Sequence, residues 1–215
     1  MKIIVLAGGL STERDVSLSS SAGICRTLLE KGHDAFLLDV FMGFPYDKDR
    51  LEEVFTLPDH GLDIVKNISE EEPDLAAVKA SRPDQSDCFL GPNVIELCRM
   101  ADITFLGLHG GEGENGKLQA TFDLLGIRYT GPDSLGCAIA MDKGVTKQIF
   151  QQAGVDTPKG VCIHKNKKKK ELDDLGLTLP VVVKPCSGGS SIGVYIAQTA
   201  EEIRRSSGKF IPLRG

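Results

Sequence analysis

Residues 3–40 constrain the fold of this chain more than any other stretch. Ile3 to Leu6 is an apolar run of strand length that ends in Ala7-Gly8-Gly9. Beyond it Leu18, Ala22, Cys25 and Leu29 recur at helical spacing, Gly32 supplies a stop, and Ala35 to Val40 is β-prone again. Strand, loop, helix and strand in that order is the opening of an open parallel sheet, because parallel neighbours need a crossover helix between them. An α/β fold class is therefore expected.

The turn after the first strand carries two glycines, yet it lacks the G-x-G-x-x-G spacing of a dinucleotide site. It continues Leu10-Ser-Thr-Glu-Arg-Asp15, and two carboxylates at a helix N-terminus would repel a pyrophosphate. Such a loop is better suited to a cation, for instance a substrate ammonium paired with Glu13. The competing reading is that Glu13 and Asp15 are first-turn acids favoured by the helix dipole. Loop context favours the cation reading for Glu13 and the dipole reading for Asp15.

Composition narrows the function classes. At 215 residues the chain can bury a core and form one or two domains. A net charge of −5 argues against nucleic acid or an anionic membrane as a bulk partner. The basic cluster Lys165 to Lys170 has no interleaved aromatics and reads as a solvated loop. Six cysteines show neither zinc spacing nor a disulfide framework, several sit on apolar stripes, and a reducing cytoplasm fits. The first strand is too short for a signal segment and no run is long enough for a membrane span, so a cytoplasmic location is expected.

Residues 41–100 hold Pro45, Pro58, Pro73, Pro83 and Pro92 with short helical patches such as Asp49 to Val54. They read as an extended insertion covering one edge of the first domain, with His33 and His60 as surface histidines. Asp102 to Leu108 returns to a strand pattern and leads into His109-Gly-Gly-Glu-Gly-Glu-Asn-Gly116, with a helix from about Lys117 carrying Leu118, Phe122 and Leu125 on one face. A histidine at the carboxyl end of a sheet strand, beside a glycine-rich turn, stands where open α/β sheets bind ligands. Tyr129 to Pro132 reads as the turn out of the first domain.

Farther on, Ser134 to Ala140 predicts a short helix, and Asp142 is an N-cap for another with Val145, Ile149 and Ala153 facing a core. Lys143 sits in that first turn against the dipole preference; either a bound phosphate explains it or it is a tolerated surface lysine. Pro158 to Ile163 is expected as a strand and Lys170 to Leu175 as a short helix. Leu179 to Lys184 and Val194 to Ala197 form a hairpin whose tip, Ser187 to Gly193, has almost no side chain over its backbone. Bare N–H groups at such a tip can surround phosphate oxygens, and Lys184 adds a point charge. Thr199 with Glu202 makes a capping box for a last helix that hardly starts before Ser206, and Lys209 to Gly215 reads as a frayed tail.

Five segments together resemble the D-alanine–D-alanine ligase family of ATP-grasp enzymes: Leu6 to Leu18, Leu108 to Gln119, Tyr129-Thr-Gly-Pro132, Met141-Asp-Lys143, and Val183 to Val194. Their order and spacing match apart from a longer insertion before Asp102, and they cover nearly the whole chain. The resemblance implies a Rossmann-like pre-ATP-grasp domain over 1–132, the small lid subdomain of an ATP-grasp fold over 133–208, and a tail over 209–215. It implies ATP-dependent ligation of two D-alanines through an acyl phosphate, for peptidoglycan precursor synthesis, by a cytoplasmic homodimer. Carried over by position, Glu13 would hold the first ammonium and His109 would lie against the reacting carboxylate or acyl phosphate. Lys143 and Lys184 would contact ATP phosphates, and Ser190, with the backbone of Gly189 and Ser191, would close over the site.

The chain departs from that family in three places. Gly188 stands where some members carry a glutamate, and Asp15 replaces a common glutamate. The family also continues for about one more domain of ordinary size, carrying the adenine hinge, a transition-state arginine, the magnesium (or manganese) ligands and a loop that selects the second substrate. A truncated or frame-shifted reading of a longer gene is the expectation that follows. The alternatives kept open are a D-alanine–D-lactate or D-serine ligase, and a non-catalytic fragment that binds D-alanine or nucleotide.

Overall fold

The computed structural model describes residues 1–45, 47–65, 72–163, 175–188 and 193–207. The chain divides into two compact units, Met1–Ala138 and Ile139–Gly215. The first is built on strands β1 (Lys2–Ala7), β2 (Asp34–Asp39) and β3 (Ile103–Leu106), in the order β2-β1-β3 with both pairings parallel. Helix α1 (Arg14–Glu30) makes the β1–β2 crossover where the periodicity places it. Beyond β3, Thr104 forms a parallel bridge with Tyr129, which extends the sheet by one pairing.

Both faces of this sheet are covered, as a parallel sheet requires. On one face Ile3, Val5, Ala7, Ala35 and Leu37 pack with Leu18, Ala22 and Cys25 of α1. On the other, Ile4, Leu6, Phe36 and Leu38 pack with Val94 and Leu97 of α3 (Val94–Met100) and with Leu118 and Phe122 of α5 (Lys117–Leu125). Leu51 and Val54, from the 3-10 helix Lys48–Thr56, complete that layer. Segment 41–100 therefore does more than cover an edge: its first 3-10 helix and α3 supply part of the core, while α2 (Leu75–Ser81) and a second short 3-10 turn (Leu62–Ile64) have no buried residue. It covers the open edge of β2 as well, where His60 O accepts from Leu37 N at 2.9 Å. His60 is thus half-buried, with a φ of 50°, and is not the surface histidine its neighbours in sequence suggested.

In chain order, α4 (Gly111–Glu114), α5, α6 (Ser134–Met141) and α7 (Lys143–Gln152) follow β3. The Asp142 carboxylate accepts from Gly144 N and Val145 N at 2.8 and 3.0 Å, so the expected N-cap forms. Strands β4 (Val181–Val183) and β5 (Tyr195–Ala197) pair antiparallel, Val182 opposite Ile196, making the expected hairpin. The capping box forms too: Glu202 N donates to Thr199 Oγ1 and Thr199 N to Glu202 Oε2, each at 3.2 Å.

Three expectations for this unit fail. Pro158 to Ile163 is not a strand: residues 155–163 have no regular structure, and Lys147 Nζ instead reaches Thr157 Oγ1 at 3.1 Å and Pro158 O. No described strand lies alongside this segment, and an unpaired strand has no ladder to hold it. Helix α7 has no buried residue; Val145 and Ile149 are 40% and 39% exposed, because helical spacing makes an apolar stripe but burial needs a partner over it. Helix α8 (Ala200–Ser207) runs past Ser206, carried by its satisfied first turn. The expected helix Lys170–Leu175, apart from Leu175, and the tail Lys209–Gly215 lie outside the described residues. Among the described residues no helix is long and apolar enough to cross a membrane.

Candidate functional site

Strands β1 and β3 are adjacent, but the helices that follow them leave on opposite faces of the sheet: α1 packs on one and α5 on the other. Loops leaving neighbouring strands in opposite directions open a crevice at their carboxyl ends, the place where open α/β sheets bind ligands. Glu13 and His109 stand on those two loops.

Serine hydroxyls fasten the loops together. Ser11 Oγ donates to His109 O at 2.6 Å and accepts from Glu13 N at 3.2 Å. Ser17 accepts from Gly8 N at 3.0 Å and donates to Gly107 O at 2.7 Å, and Ser21 also donates to Gly107 O, at 3.1 Å. Both serines are fully buried. Ser20 Oγ lies 2.8 Å from Val16 O and 3.2 Å from His109 Nε2. With the hydroxyl proton directed at that carbonyl, the serine oxygen accepts from an Nε2–H tautomer.

Glu13 and His109 are both half-buried, and the Glu13 carboxylate comes so close to Gly110 that a Cβ there would lie 2.9 Å from Oε2. Gly110 has a φ of 68°, a conformation L side chains rarely adopt, so the backbone there favours glycine. A carboxylate and an imidazole carried on two loops that Ser11 fastens together can take an ammonium on the first and a carboxylate on the second.

Sequence reasoning passed over the brace beneath this crevice. Arg14 and Asp39 are buried together and ion-paired. Arg14 Nη1 also donates to Gly9 O at 2.7 Å, while Asp39 Oδ1 accepts from Phe41 N at 2.9 Å and Met42 N at 3.1 Å. A Cβ on Gly8 would lie 2.7 Å from the Asp39 carboxylate, so a glycine there lets the loop pass over this pair. The available signal was the one applied to Lys143: a cation in a helix's first turn, against the dipole, needs a partner. An aspartate ending an apolar strand was the other half of it.

In the second unit, Lys143 N donates to Cys186 O at 2.9 Å and Lys143 Nζ to Gly188 O at 2.6 Å. The lysine that seemed to need a phosphate thus has a backbone acceptor at the base of the hairpin tip. Lys184 is exposed at the end of β4. Gly189, Ser190 and Ser191 lie outside the described residues. Among the described residues no group of three or more His, Cys, Asp or Glu side chains could hold a metal ion, so no step through magnesium or manganese is derived.

Comparison with known proteins adds to this geometry. The family model described as D-ala D-ala ligase N-terminus matches residues 2–132, and that described as D-ala D-ala ligase C-terminus matches residues 149–209. The D-alanine–D-alanine ligase of Lacticaseibacillus casei is 42% identical over 203 residues, which are 94% of this chain and 56% of that relative. The chain therefore spans little more than half the length of the curated relatives it matches. The crystal structure of the Bacillus anthracis D-alanine–D-alanine ligase complexed with ATP aligns at a TM-score of 0.63 and 26% identity, over 95% of this chain and 53% of that one. A D-Ala:D-Ser ligase from Enterococcus faecalis aligns at 0.62 and 25% identity, over 96% and 58%.

Proposed function

Because the chain belongs to the D-alanine–D-alanine ligase family, we propose that it takes part in ATP-dependent joining of two D-alanines for peptidoglycan precursor synthesis, in the cytoplasm and as a homodimer. The observation that carries this reading is that Ser11 fastens the Glu13 and His109 loops together at the carboxyl ends of β1 and β3, with the Glu13 carboxylate against Gly110.

In this reading Glu13 accepts the ammonium of the first D-alanine and His109 lies against its carboxylate. That carboxylate attacks the γ-phosphorus of ATP and ADP leaves, giving an acyl phosphate. The free amine of the second D-alanine then attacks the acyl carbon, phosphate leaves with the bonding pair, and the amine gives up a proton. The developing negative charge needs cations and donors held in place beforehand. Lys143 and Lys184 supply charge to the ATP phosphates, and the Gly189–Ser191 backbone with the Ser190 hydroxyl supplies donors. Lys143 would exchange its Gly188 carbonyl for a phosphate oxygen, a stronger charge-assisted partner.

Incubation of the chain with ATP, a divalent cation and D-alanine tests this reading. The expected result is D-alanyl-D-alanine by mass spectrometry, equal in amount to the phosphate released and absent with L-alanine. Offering D-serine or D-lactate beside D-alanine decides the second substrate, a choice raised by the likeness to a D-Ala:D-Ser ligase. Since the chain spans 56% of its relative, a second reading is that it binds D-alanine or nucleotide without turnover. Saturable D-alanine binding with no dipeptide formed would select that reading.

A further inference from the structure

Cys162 and Cys186 are 24 residues apart in sequence, yet their Sγ atoms lie 2.9 Å from each other, within about 0.9 Å of a covalent disulfide near 2.04 Å. Both are free thiols. Cys162 is exposed, on the irregular segment 155–163, and Cys186 is half-buried just after β4. The pair is set into the second unit's framework: Cys186 O accepts from Lys143 N at 2.9 Å, and a Cβ on Gly144 would lie 3.4 Å from Cys162 Cβ. No step of the proposed ligation uses either sulfur.

We infer that Cys162 and Cys186 are a reversible thiol–disulfide pair, oxidised by exchange with a low-molecular-weight disulfide, that ties segment 155–163 to the stem of the β4–β5 hairpin. Cys162 is the accessible member and is the attacking group. Its thiolate bonds to one sulfur of the small disulfide and expels the other as a thiolate, leaving a mixed disulfide on Cys162. Cys186 loses its proton to water and attacks Cys162 Sγ, expelling the second small thiolate. The protein gives up two electrons and two protons and the small disulfide becomes two thiols, so the exchange balances without another oxidant. Burial, with the neighbouring Cys162 sulfur, pushes the Cys186 thiol up to about 11, which leaves it little thiolate with which to make the first attack. This modification stands apart from the ligase reading, since its chemistry needs neither D-alanine nor ATP.

The test is incubation of the folded chain with oxidised glutathione, followed by thiol counting in denaturant and peptide mass mapping. The six cysteines should fall to four free thiols with a Cys162–Cys186 cross-link, returning to six with dithiothreitol. Cys186→Ser should instead hold one stable glutathione on Cys162, and Cys162→Ser should form neither species at Cys186. A Cys88→Ser background removes the other exposed thiol and should leave the cross-link unchanged. Stable glutathionylation of Cys162 in the unsubstituted chain without resolution, or cross-links spread equally over other cysteine pairs, would overturn the inference.

Discussion

The two units of this chain are held together by different means. In the first, a parallel sheet is buried on both faces and nearly every described core residue belongs to it. In the second, Ala197, 1% exposed, is the one buried apolar side chain among the described residues, while Phe150, Val182 and Ile196 are 41%, 57% and 67% exposed. What the second unit has instead is local order: an Asp142 N-cap, a three-residue hairpin ladder and a capping box. The first unit derives its stability from burial, whose cost on truncation is several kcal/mol. The second relies on interactions each worth about 1 kcal/mol.

That contrast can be broken most directly in the core. Phe122→Ala should cost about 3–5 kcal/mol and unfold much of the first unit, whereas Phe150→Ala on exposed α7 should stay within about 0.5 kcal/mol. Urea titrations followed by circular dichroism would show both, and similar costs would erase the distinction.

Next in size is the buried ion pair. Asp39→Ala leaves the Arg14 guanidinium buried without its carboxylate and should cost about 3–5 kcal/mol, while the double replacement Arg14→Met/Asp39→Leu should recover a large share of that loss. The double variant should nevertheless lose ligand affinity at the crevice, because Gly9 O, Phe41 N and Met42 N lose their partners.

Alkaline pH should weaken the first unit. Burial pushes the Cys25 thiol up to about 11 and Cys98 to about 12, from 9.0. Thiols with raised folded values stay protonated in the fold after the unfolded chain has ionised. The stability they contribute is complete below pH 9 and is lost as pH rises from there through about 11 for Cys25 and about 12 for Cys98. Cys25 and Cys98 lie on opposite faces of the first unit's sheet, so its urea midpoint should fall over that window. Replacing both cysteines with alanine should flatten the slope. In the second unit, Asp142→Ala should cost about 1 kcal/mol and fray only the start of α7, visible as faster amide exchange at Gly144 and Val145.

Local signals explain what could be read from the sequence. The helical spacing of Leu18, Ala22 and Cys25, the Asp142 cap and the Thr199–Glu202 box each act within a few residues, and each appears in the structure. What failed depended on partners distant in sequence. Val145 and Ile149 carry the spacing of a buried face but have no cover, and Pro158 to Ile163 has strand composition without a neighbouring strand. The Arg14–Asp39 brace joins residues 25 apart, and only the fold brings them together. Glu13 and His109 were singled out separately from their loops; bringing those loops together required the β1–β3 pairing.

The central claim, that the β1–β3 crevice holds D-alanine by its ammonium at Glu13, is tested most directly by titrating D-alanine into isotope-labelled chain and following amide shifts. The account predicts saturable shifts at Gly110, Gly111 and the Ser11–Glu13 loop, none with L-alanine, and at least a tenfold loss of affinity, about 1.4 kcal/mol, in Glu13→Gln. Unchanged affinity in Glu13→Gln, or shifts centred away from these two loops, would contradict it.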